Sequence, residues 1–280
     1  MDKLLIIDGH NLLFQMFYGM PTRIVNANGK AIQGTLGFVG AMLKIIKMTS
    51  PTHMAVFFDG EHENPRAEIR PEYKANRPDH SQIPEEDSPF SQLPDVYAAL
   101  DYLHIKHTEI EELEADDVIA NYALTYGRDI QIVISSFDSD FFQLVTETVS
   151  VLRYRGNHTT ICDTAYVTNR YGVPPAAYAD FKALTGDTAD NIKGADKVGP
   201  KTAAALLAEW GTLDGILHNR GQITKPSIKE SITHNAERLH QNYQLIKLNN
   251  QAPMPFALTE LAYTFGGQTT TEVLKGINLK

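Results

Sequence analysis

Short apolar runs that end in aspartate constrain the fold of this 280-residue chain more than any other feature. Residues 3–7 lead to Asp8, residues 54–58 lead to Asp59, and residues 130–134 lead through two serines and Phe137 to Asp138 and Asp140. Short runs of this kind, apolar throughout, are typical of parallel strands buried on both faces. A weaker strand is predicted over residues 104–110, which leads toward Glu114.

Helical patterns lie between these runs, over residues 34–50, 94–103 and 115–126. Alternation of strands and helices predicts an α/β fold with a mostly parallel sheet flanked by helices. In such sheets, functional sites lie beyond the carboxyl ends of the strands. The aspartates that end the strands are therefore expected to meet in one crevice.

Two regions differ from this pattern. Residues 60–93 contain five prolines and little periodicity, so we expect a long excursion over the surface. From about Pro174 the pattern is helical with short turns. We therefore predict an α/β domain over residues 1–173, which includes the excursion, and a smaller helical subdomain over residues 174–280.

Composition excludes several classes of protein. Cys162 is the single cysteine, so the chain has no intramolecular disulfide and a reducing cytoplasm is expected. No apolar run approaches the roughly 20 residues that span a bilayer, so no membrane role is expected. The net charge of −9 argues against nucleic acid as a partner, unless cations bound by carboxylates reverse the local sign.

Nine acids are candidate metal ligands: Asp8, Asp59, Glu114, Asp116, Asp117, Asp138, Asp140, Asp187 and Asp190. Taken singly, each is explained as a helix cap, a turn former or a first-turn acid favoured by the helix dipole. Taken together, acids from four segments in one crevice would repel one another unless cations bind. Ligation by oxygen alone suits Mg²⁺ or Mn²⁺ better than Zn²⁺.

Six segments, in order, resemble the 5′-nuclease (flap endonuclease) family, which includes the N-terminal nuclease domain of bacterial DNA polymerase I. They are residues 4–9, residues 56–60, Tyr73-Lys74-Ala75-Asn76-Arg77, Glu114-Ala115-Asp116-Asp117, Asp138-Ser139-Asp140 and Gly186-Asp187-Thr188-Ala189-Asp190-Asn191-Ile192. The resemblance runs from about residue 4 to residue 250. It implies a PIN-like nuclease core, a helical arch and a C-terminal helix-hairpin-helix element, in a free-standing bacterial 5′-nuclease.

The resemblance also implies an activity: metal-dependent hydrolysis of DNA phosphodiesters near 5′ ends and flap junctions, in replication and repair. Two or more Mg²⁺ ions are implied, for which Mn²⁺ would substitute. By position, Asp8, Asp59, Glu114 and Asp116 match one metal group, and Asp138, Asp140 and Asp187 match the second. Asp117 and Asp190 match outer or additional ligands. The implied partner is DNA with a 5′ flap, overhang or nick, with RNA–DNA as an open alternative, bound by a monomer.

Residues 60–93 match the family's arch, with Arg66, Tyr73, Lys74 and Arg77 at its motif positions. Lys74 and Arg77 are the expected catalytic cations, which share a face if this piece is helical. Arg66 is an expected DNA contact, and Tyr73 is an expected stacking platform for an unpaired base. Without the neighbouring acid motifs, a solvated basic face would explain these residues equally well.

Residues 194–203 resemble a helix-hairpin-helix element, with Lys197, Gly199, Lys201 and Thr202 as expected DNA contacts. Such elements hold the duplex by its backbone without reading its sequence. In the family the hairpin also holds a K⁺ ion. A Gly-rich turn before a helix is also a common structural cap, so this segment alone is not specific.

Four residues depart from the family pattern. Gln15 stands where arginine is usual, Phe137 replaces a glycine, Ser139 replaces a basic residue and Lys197 replaces a hairpin glycine. None removes a carboxylate, so metal binding is expected to persist. Gln15 and Ser139 each remove a positive charge near the site.

Two alternative functions have some support in the sequence. A junction-binding protein of weak catalytic activity could keep the nuclease fold, but the full set of carboxylates argues against it. A phosphatase of the haloacid-dehalogenase type also begins with a strand that ends in aspartate. That chemistry needs a second aspartate two residues later, where this chain has His10.

Overall fold

A six-stranded sheet lies at the centre of the N-terminal part of the molecule. Its strands are β1 (Lys3–Asp8), β2 (His53–Asp59), β3 (Lys106–Ile110), β4 (Gln131–Ser135), β5 (Val149–Arg153) and β6 (Thr160–Cys162). They lie in the order β3-β2-β1-β4-β5-β6, parallel except for β6, which pairs antiparallel with β5. The mostly parallel sheet predicted from the sequence is confirmed, although β5 and β6 were not predicted.

This structure is a computed structural model, and it describes residues 1–60, 66–76, 84, 87–111 and 113–279. Its helices are α1 (Gly9–Gly19), α2 (Gln33–Thr49), α3 (Arg66–Ile69), α4 (Leu93–Tyr102), α5 (Ala115–Tyr126), α6 (Thr164–Tyr171), α7 (Tyr178–Thr185), α8 (Pro200–Trp210), α9 (Leu213–His218), α10 (Pro226–His234), α11 (Ala236–Ile246) and α12 (Thr270–Gly276). The three helices predicted between strands correspond to α2, α4 and α5.

Both faces of the central strands are covered, which explains why their sequences are apolar throughout. Leu4 and Ile6 of β1 belong to a core cluster that includes residues of α5. Leu5 and Ile7 point to the opposite face and belong to a second cluster that includes residues of α1 and α2. The alternation of side chains along the strand thus supplies two cores, one on each side of the sheet.

The C-terminal helices share a core with one face of the sheet. Residues of α7, α8 and α11 belong to the same cluster as Leu4 and Ile6. Between α7 and α11, Asn242 is fully buried and donates to the carbonyls of Ala183 and Lys193, both at 3.0 Å. A short hairpin of β7 (Gly186–Asp187) and β8 (Ile192–Lys193) follows α7.

The last helix returns to the first part of the chain. Val273 of α12 lies in the cluster that contains Leu100 of α4 and Met42 of α2. The Tyr263 N–H donates to the Thr52 carbonyl just before β2, at 2.8 Å. The end of the predicted helical subdomain therefore packs on the α/β layer, and the proposed boundary at residue 173 stays a prediction.

The predicted excursion is described in part. It contains α3, a series of turns over residues 71–76 and a 3₁₀ turn over Pro89–Gln92. Arg77, one of the two expected catalytic cations, lies outside the described residues. No helix in the described ranges is long and apolar enough to cross a membrane.

Candidate functional site

A large open cavity lies at the carboxyl ends of β1, β2 and β4, where the strand order of the sheet reverses direction. Its wall includes Asp8, Asp59, Asp116 and Asp138, which come from four separate segments. The structure thus brings together the aspartates that the sequence placed at strand ends. Crevices at such reversal points are the usual ligand sites of open α/β sheets.

Hydrogen bonds from the backbone fix two of these carboxylates, those of Asp8 and Asp59. Asp8 caps α1, since its Oδ1 accepts from the Asn11 N–H at 3.1 Å. Gly9 has no room for a Cβ, which would lie 2.4 Å from the Phe58 ring, so α1 leaves β1 in close contact with β2. Asp59 holds the start of α5 by accepting from the Ala115 N–H at 2.8 Å.

Ser136 links two of the acids across β1 and β4. Its hydroxyl donates to Asp8 Oδ2 at 2.8 Å and accepts from the Asp138 N–H at 2.9 Å. Asp138 Oδ1 in turn accepts from the Asp140 N–H at 2.7 Å. The Ser-Phe-Asp-Ser-Asp segment after β4 therefore supplies two carboxylates, those of Asp138 and Asp140, linked by hydrogen bonds to each other and, through Ser136, to Asp8.

The first group of carboxylates is electrostatically crowded. Burial, together with the nearby charge of Asp59, raises the pKa of Asp8 to about 7. Burial and the charges of Asp138, Asp8 and Asp59 hold the pKa of Asp116 well above its usual value. Burial also disfavours the charged form of Asp59, but hydrogen bonds from His10 and the Ala115 N–H outweigh it, so that pKa is lowered. A cation among these groups would relieve the repulsion.

A second group consists of Asp140, Asp187 and Asp190, whose carboxylate oxygens lie within 4.8 Å of one another. Asp140 begins a 3₁₀ turn after β4, and Asp187 lies in β7. This group therefore joins the sheet to the hairpin of the helical part. Three carboxylates at this spacing are able to hold a divalent cation.

Lys182 of α7 lies within the second group, and sequence reasoning missed it. Its ammonium contacts the carboxylate of Asp140 and lies 2.5 Å from Asp187 Oδ2. Burial raises the pKa of Asp140 to about 7, although the charge of Lys182 partly counteracts this effect. At Asp187 the same lysine outweighs burial, so the pKa of Asp187 is lowered. A lysine inside a buried helical run, four residues before the Gly-Asp motif, was the available signal, since buried lysines are almost always paired.

Two cations from the excursion bind the remaining acids. Arg66 contacts Glu114 and lies 2.8 Å from Asp117 Oδ1, and Lys74 Nζ lies 2.5 Å from Glu114 Oε1. Glu114 itself stands at the N-terminus of α5 and is almost fully buried. Arg66 and Lys74 thus line the acid groups, as their motif positions suggested.

The conformation around Lys74 differs from the expected helix. Lys74 lies in a turn with φ of 57°, in the left-handed region, and its N–H donates to the Asp190 carbonyl at 3.1 Å. Asn76 Nδ2 donates to the Thr188 carbonyl at 2.9 Å, and Asn191 Nδ2 donates to the Glu72 carbonyl at 2.8 Å. These bonds tie the segment that carries Lys74 to the loop that carries Asp190.

The grouping of the acids also differs from the expected one. Asp138 acts on both groups: its charge contributes to the raised pKa of Asp116 and of Asp140, and its Oδ1 accepts from the Asp140 N–H. Asp190 belongs to the second group, whereas Asp117 is paired with Arg66. Chain order alone does not reveal these distances, which depend on how β4 and β7 approach each other.

Tyr73 is not open for base stacking in this structure. Its side chain is only 6% exposed and packs in the core beside Ile110 and Ala115, so burial raises the pKa of its hydroxyl. The expectation of a stacking platform assumed an exposed ring. The burial arises because residues 72–76 are tied to the loop after β7.

The expected DNA contacts of the hairpin lie together before and at the start of α8. Lys197, Gly199 and Lys201 are exposed and Thr202 is half-buried. Lys197 has φ of 65°, a conformation that favours glycine, which explains why glycine is usual there. Gly194 has no room for a Cβ, because that atom would lie 2.3 Å from the Thr185 carbonyl carbon.

The comparisons with known proteins agree with this geometry. The chain matches the family model described as 5′-3′ exonuclease, N-terminal resolvase-like domain, over residues 3–172. It matches the model described as 5′-3′ exonuclease, C-terminal SAM fold, over residues 173–267. It is 36% identical over 253 residues to the thermostable DNA polymerase I of Thermus filiformis. That match covers 90% of this chain and 29% of the polymerase, so the chain spans less than a third of that relative.

Two solved structures of a bacteriophage T5 enzyme share the fold. One is T5 5′-exonuclease with bound divalent zinc ions, at a TM-score of 0.73 and 22% identity, covering 98% of this chain and 99% of the other. The other is a complex of the T5 flap endonuclease with DNA and metal ions, at a TM-score of 0.73 and 23% identity, covering 99% of both chains.

We predict that the crowded carboxylates make the metal-free protein less stable as the pH rises. The pKa values of Asp8 and Asp140 are higher in the folded state than in the unfolded state. At a pH between the unfolded-state pKa and about 7, the folded protein therefore binds more protons than the unfolded chain. Stability is therefore lost as the pH rises through this window. The lowered pKa values of Asp59 and Asp187 act at lower pH. Thermal unfolding in chelator should show a midpoint that falls between about pH 5 and about pH 7.5.

Millimolar Mg²⁺ should restore much of this midpoint at the upper pH, because a ligand that binds only the folded state stabilises it. Asp8→Asn should flatten the pH dependence in chelator, since it removes one of the titrating groups. A midpoint that is constant or rises over this range in chelator would contradict the prediction.

Proposed function

The chain belongs to the 5′-3′ exonuclease family, and on this premise we propose that it is a structure-selective, divalent-metal-dependent 5′-3′ exonuclease and flap endonuclease. It hydrolyses DNA phosphodiesters near 5′ ends and flap junctions. The observation that carries this proposal is the gathering of carboxylates from separate segments into two groups, one in the wall of the cavity at the carboxyl ends of the strands and one of Asp140, Asp187 and Asp190. Replication and repair of DNA in the bacterial cytoplasm is the proposed setting.

The residues of the cavity fit two Mg²⁺ ions, with Mn²⁺ as a substitute. Asp8, Asp59, Asp116 and Asp138 would hold one ion, and Asp140, Asp187 and Asp190 would hold the other. All are oxygen donors, and no His or Cys joins the second cluster within the described residues. The raised pKa values of Asp8 and Asp140 support this assignment, because burial and neighbouring carboxylates disfavour their charged forms and a bound cation would favour them.

When bound, such a pair of ions supplies a hydroxide nucleophile at neutral pH and stabilises the leaving oxygen of a phosphodiester. The protein's own contribution is positional. Ser136 and the Ala115 N–H fix the carboxylates of Asp8 and Asp59. Lys182 keeps Asp140 and Asp187 together from α7.

Lys74 is the proposed catalytic cation. It lines the cavity, and its ammonium already lies at the edge of the acid groups, beside Glu114. A cation in that place can meet charge that develops on a phosphate in the transition state. Arg77 belongs to the same motif and stays part of the proposal.

DNA with a free 5′ strand is the proposed substrate. The exposed Lys197, Gly199 and Lys201 at the start of α8 support a backbone contact to the duplex, because helix N-termini and lysines favour phosphate. A K⁺ ion at this hairpin, acceptance of RNA in the 5′ strand and action as a monomer belong to the same proposal, on the family resemblance.

The metal requirement gives the first test of activity. Chelator should abolish cleavage of a 5′-flap substrate, and Mg²⁺ or Mn²⁺ should restore it. Asp138→Ala or Asp187→Ala should also abolish cleavage while DNA binding persists, because each removes a ligand. Glu147→Ala is the matched control, since Glu147 is exposed just before β5, at the amino end of the strand and away from the carboxyl ends that line the cavity. Full turnover in chelator would refute the metal mechanism, and DNA binding without any cleavage would favour the weak junction-binding protein.

Substrate choice gives the second test. A panel of end-labelled DNAs with mapped products should show efficient cleavage of 5′ flaps and overhangs, with little dependence on sequence. A closed single-stranded circle should be cut poorly, because the proposal requires a free 5′ end. Equal cleavage of the circle and the flap would contradict that requirement.

A comparison of Lys74 with Lys201 separates chemistry from binding. Lys74→Ala should lower the single-turnover rate at saturating enzyme by roughly 10²–10³-fold, by analogy with the loss of a donor at an oxyanion site. Lys201→Ala should weaken duplex binding and reduce the salt slope by about one, yet cleave at a near-normal rate when enzyme is saturating. Rescue of both variants by excess enzyme would show that Lys74 serves only binding.

A further inference from the structure

Arg155, which follows β5, stands at the wall of the cavity and has no role in the function described so far. Among the described lysines and arginines, Lys74 and Arg155 line this cavity together with Asp8 and Asp138. Lys74 is paired with Glu114. Arg155 is exposed and forms no ion pair with any carboxylate in the described part of the chain, although the cavity is rich in acids.

The guanidinium of Arg155 is held over an aromatic ring. It lies 5.3 Å from the centroid of Phe137, the residue directly before Asp138. Cation–π contacts of this kind orient a guanidinium while its N–H donors stay available. The position of the ring therefore decides where those donors lie.

Phe137 is itself firmly placed. Its N–H donates to Asn11 Oδ1 at 2.9 Å, and its carbonyl accepts from Arg153 Nη2 at 2.8 Å. The guanidinium of Arg153 also lies 4.5 Å from the Phe142 ring centroid. Arg153 is therefore already bound within the protein. Arg155 lies two residues beyond the end of β5, and its guanidinium lies closer to the Phe137 ring than that of Arg153, which is 5.9 Å from the same centroid.

The backbone around Arg155 is fixed on both sides. Gln15 Nε2 donates to the Tyr154 carbonyl at 2.6 Å, and the Arg155 N–H donates to Thr159 Oγ1 at 3.0 Å. Thr159 Oγ1 donates in turn to the Gly156 carbonyl at 2.7 Å. A cation whose backbone and stacking surface are fixed in advance loses little entropy when it binds a ligand.

We propose that Arg155, held over Phe137, binds a backbone phosphate of the DNA strand that occupies the cavity beside Asp138. The proposal rests on the proposed function, since it assigns a further contact to the same substrate. A planar guanidinium with free donors suits the two oxygens of a phosphodiester. The contact lies beyond β5, whereas Lys74 pairs with Glu114, which follows β3 at the other edge of the sheet.

This contact also accounts for two of the residues that depart from the family pattern, Gln15 and Phe137. Gln15 and Ser139 supply no positive charge, but Gln15 fixes the backbone beside Arg155. Phe137 supplies the ring under the guanidinium. The positive charge at the β5 side of the cavity therefore comes from Arg155.

Binding of a labelled 5′-overhang duplex, measured in chelator at several salt concentrations, tests the proposal. Arg155→Ala should raise Kd by about 3- to 10-fold, the range of one net hydrogen-bonded contact. It should also reduce the slope of log K against log salt by about one. Under Mg²⁺, KM should rise while kcat changes little.

Three further variants sharpen the result. Arg128→Ala is the matched control, because Arg128 is exposed just before β4, at the opposite edge of the sheet. Arg155→Lys should keep the salt slope but lose affinity, since lysine keeps the charge without the planar fork. Phe137→Leu should weaken binding in the wild-type background and have little further effect in Arg155→Ala.

Outcomes of the test separate this inference from the proposed function. Failure of the wild-type protein to bind or cleave any 5′-ended DNA would overturn the proposed function itself. Normal wild-type activity, with Arg155→Ala and Arg128→Ala identical in Kd and salt slope, would overturn only the role of Arg155. A change in the unfolding midpoint alone, with Kd unchanged, would show that Arg155 serves packing on Phe137.

Discussion

The burial of several carboxylates close to one another is the constraint on which the rest of this structure depends. Asp8, Asp116 and Asp140 all have raised pKa values, with burial as the largest cause. Such a cluster persists only if the fold holds it, since each acid would be better solvated elsewhere. Helix caps, strand ends and close backbone contacts keep these carboxylates in place, and they come from both the sheet and the C-terminal helices.

Positive side chains pair with several of these buried acids. Arg66 and Lys74 pair with Glu114, and Lys182 lies between Asp140 and Asp187. Each cation sits among acids that are otherwise short of positive charge. For a proposed metallonuclease this arrangement has a consequence: an ion held by Asp140 and Asp187 would share these ligands with Lys182, while Arg66 and Lys74 of the excursion pair with Glu114 beside the other group.

The overall negative charge is compatible with a nucleic-acid partner for a local reason. Many of the acids that give the net charge of −9 lie in the cavity, where cations are expected to bind. The exposed Lys197 and Lys201 lie apart from them, at the start of α8. Charge therefore differs between surfaces of the molecule, and its sum over the chain says little about its partner.

The sequence by itself determined four of the six strands, the helices α2, α4 and α5 and the acids at the strand ends, because apolar periodicity and strand-terminal aspartates are local signals. It did not reveal Lys182, whose role depends on α7 packing beside the segment after β4. It offered Tyr73 as a stacking platform and left open whether Lys74 lies on a helix, whereas in the structure Tyr73 is buried and Lys74 lies in a turn bonded to residues 188–191. Likewise, the influence of Asp138 on both carboxylate groups and the stacking of Arg155 on Phe137 arise from contacts between separate segments of the chain. Such contacts are decided only when the tertiary structure brings those segments together, since no local pattern encodes the distance between them.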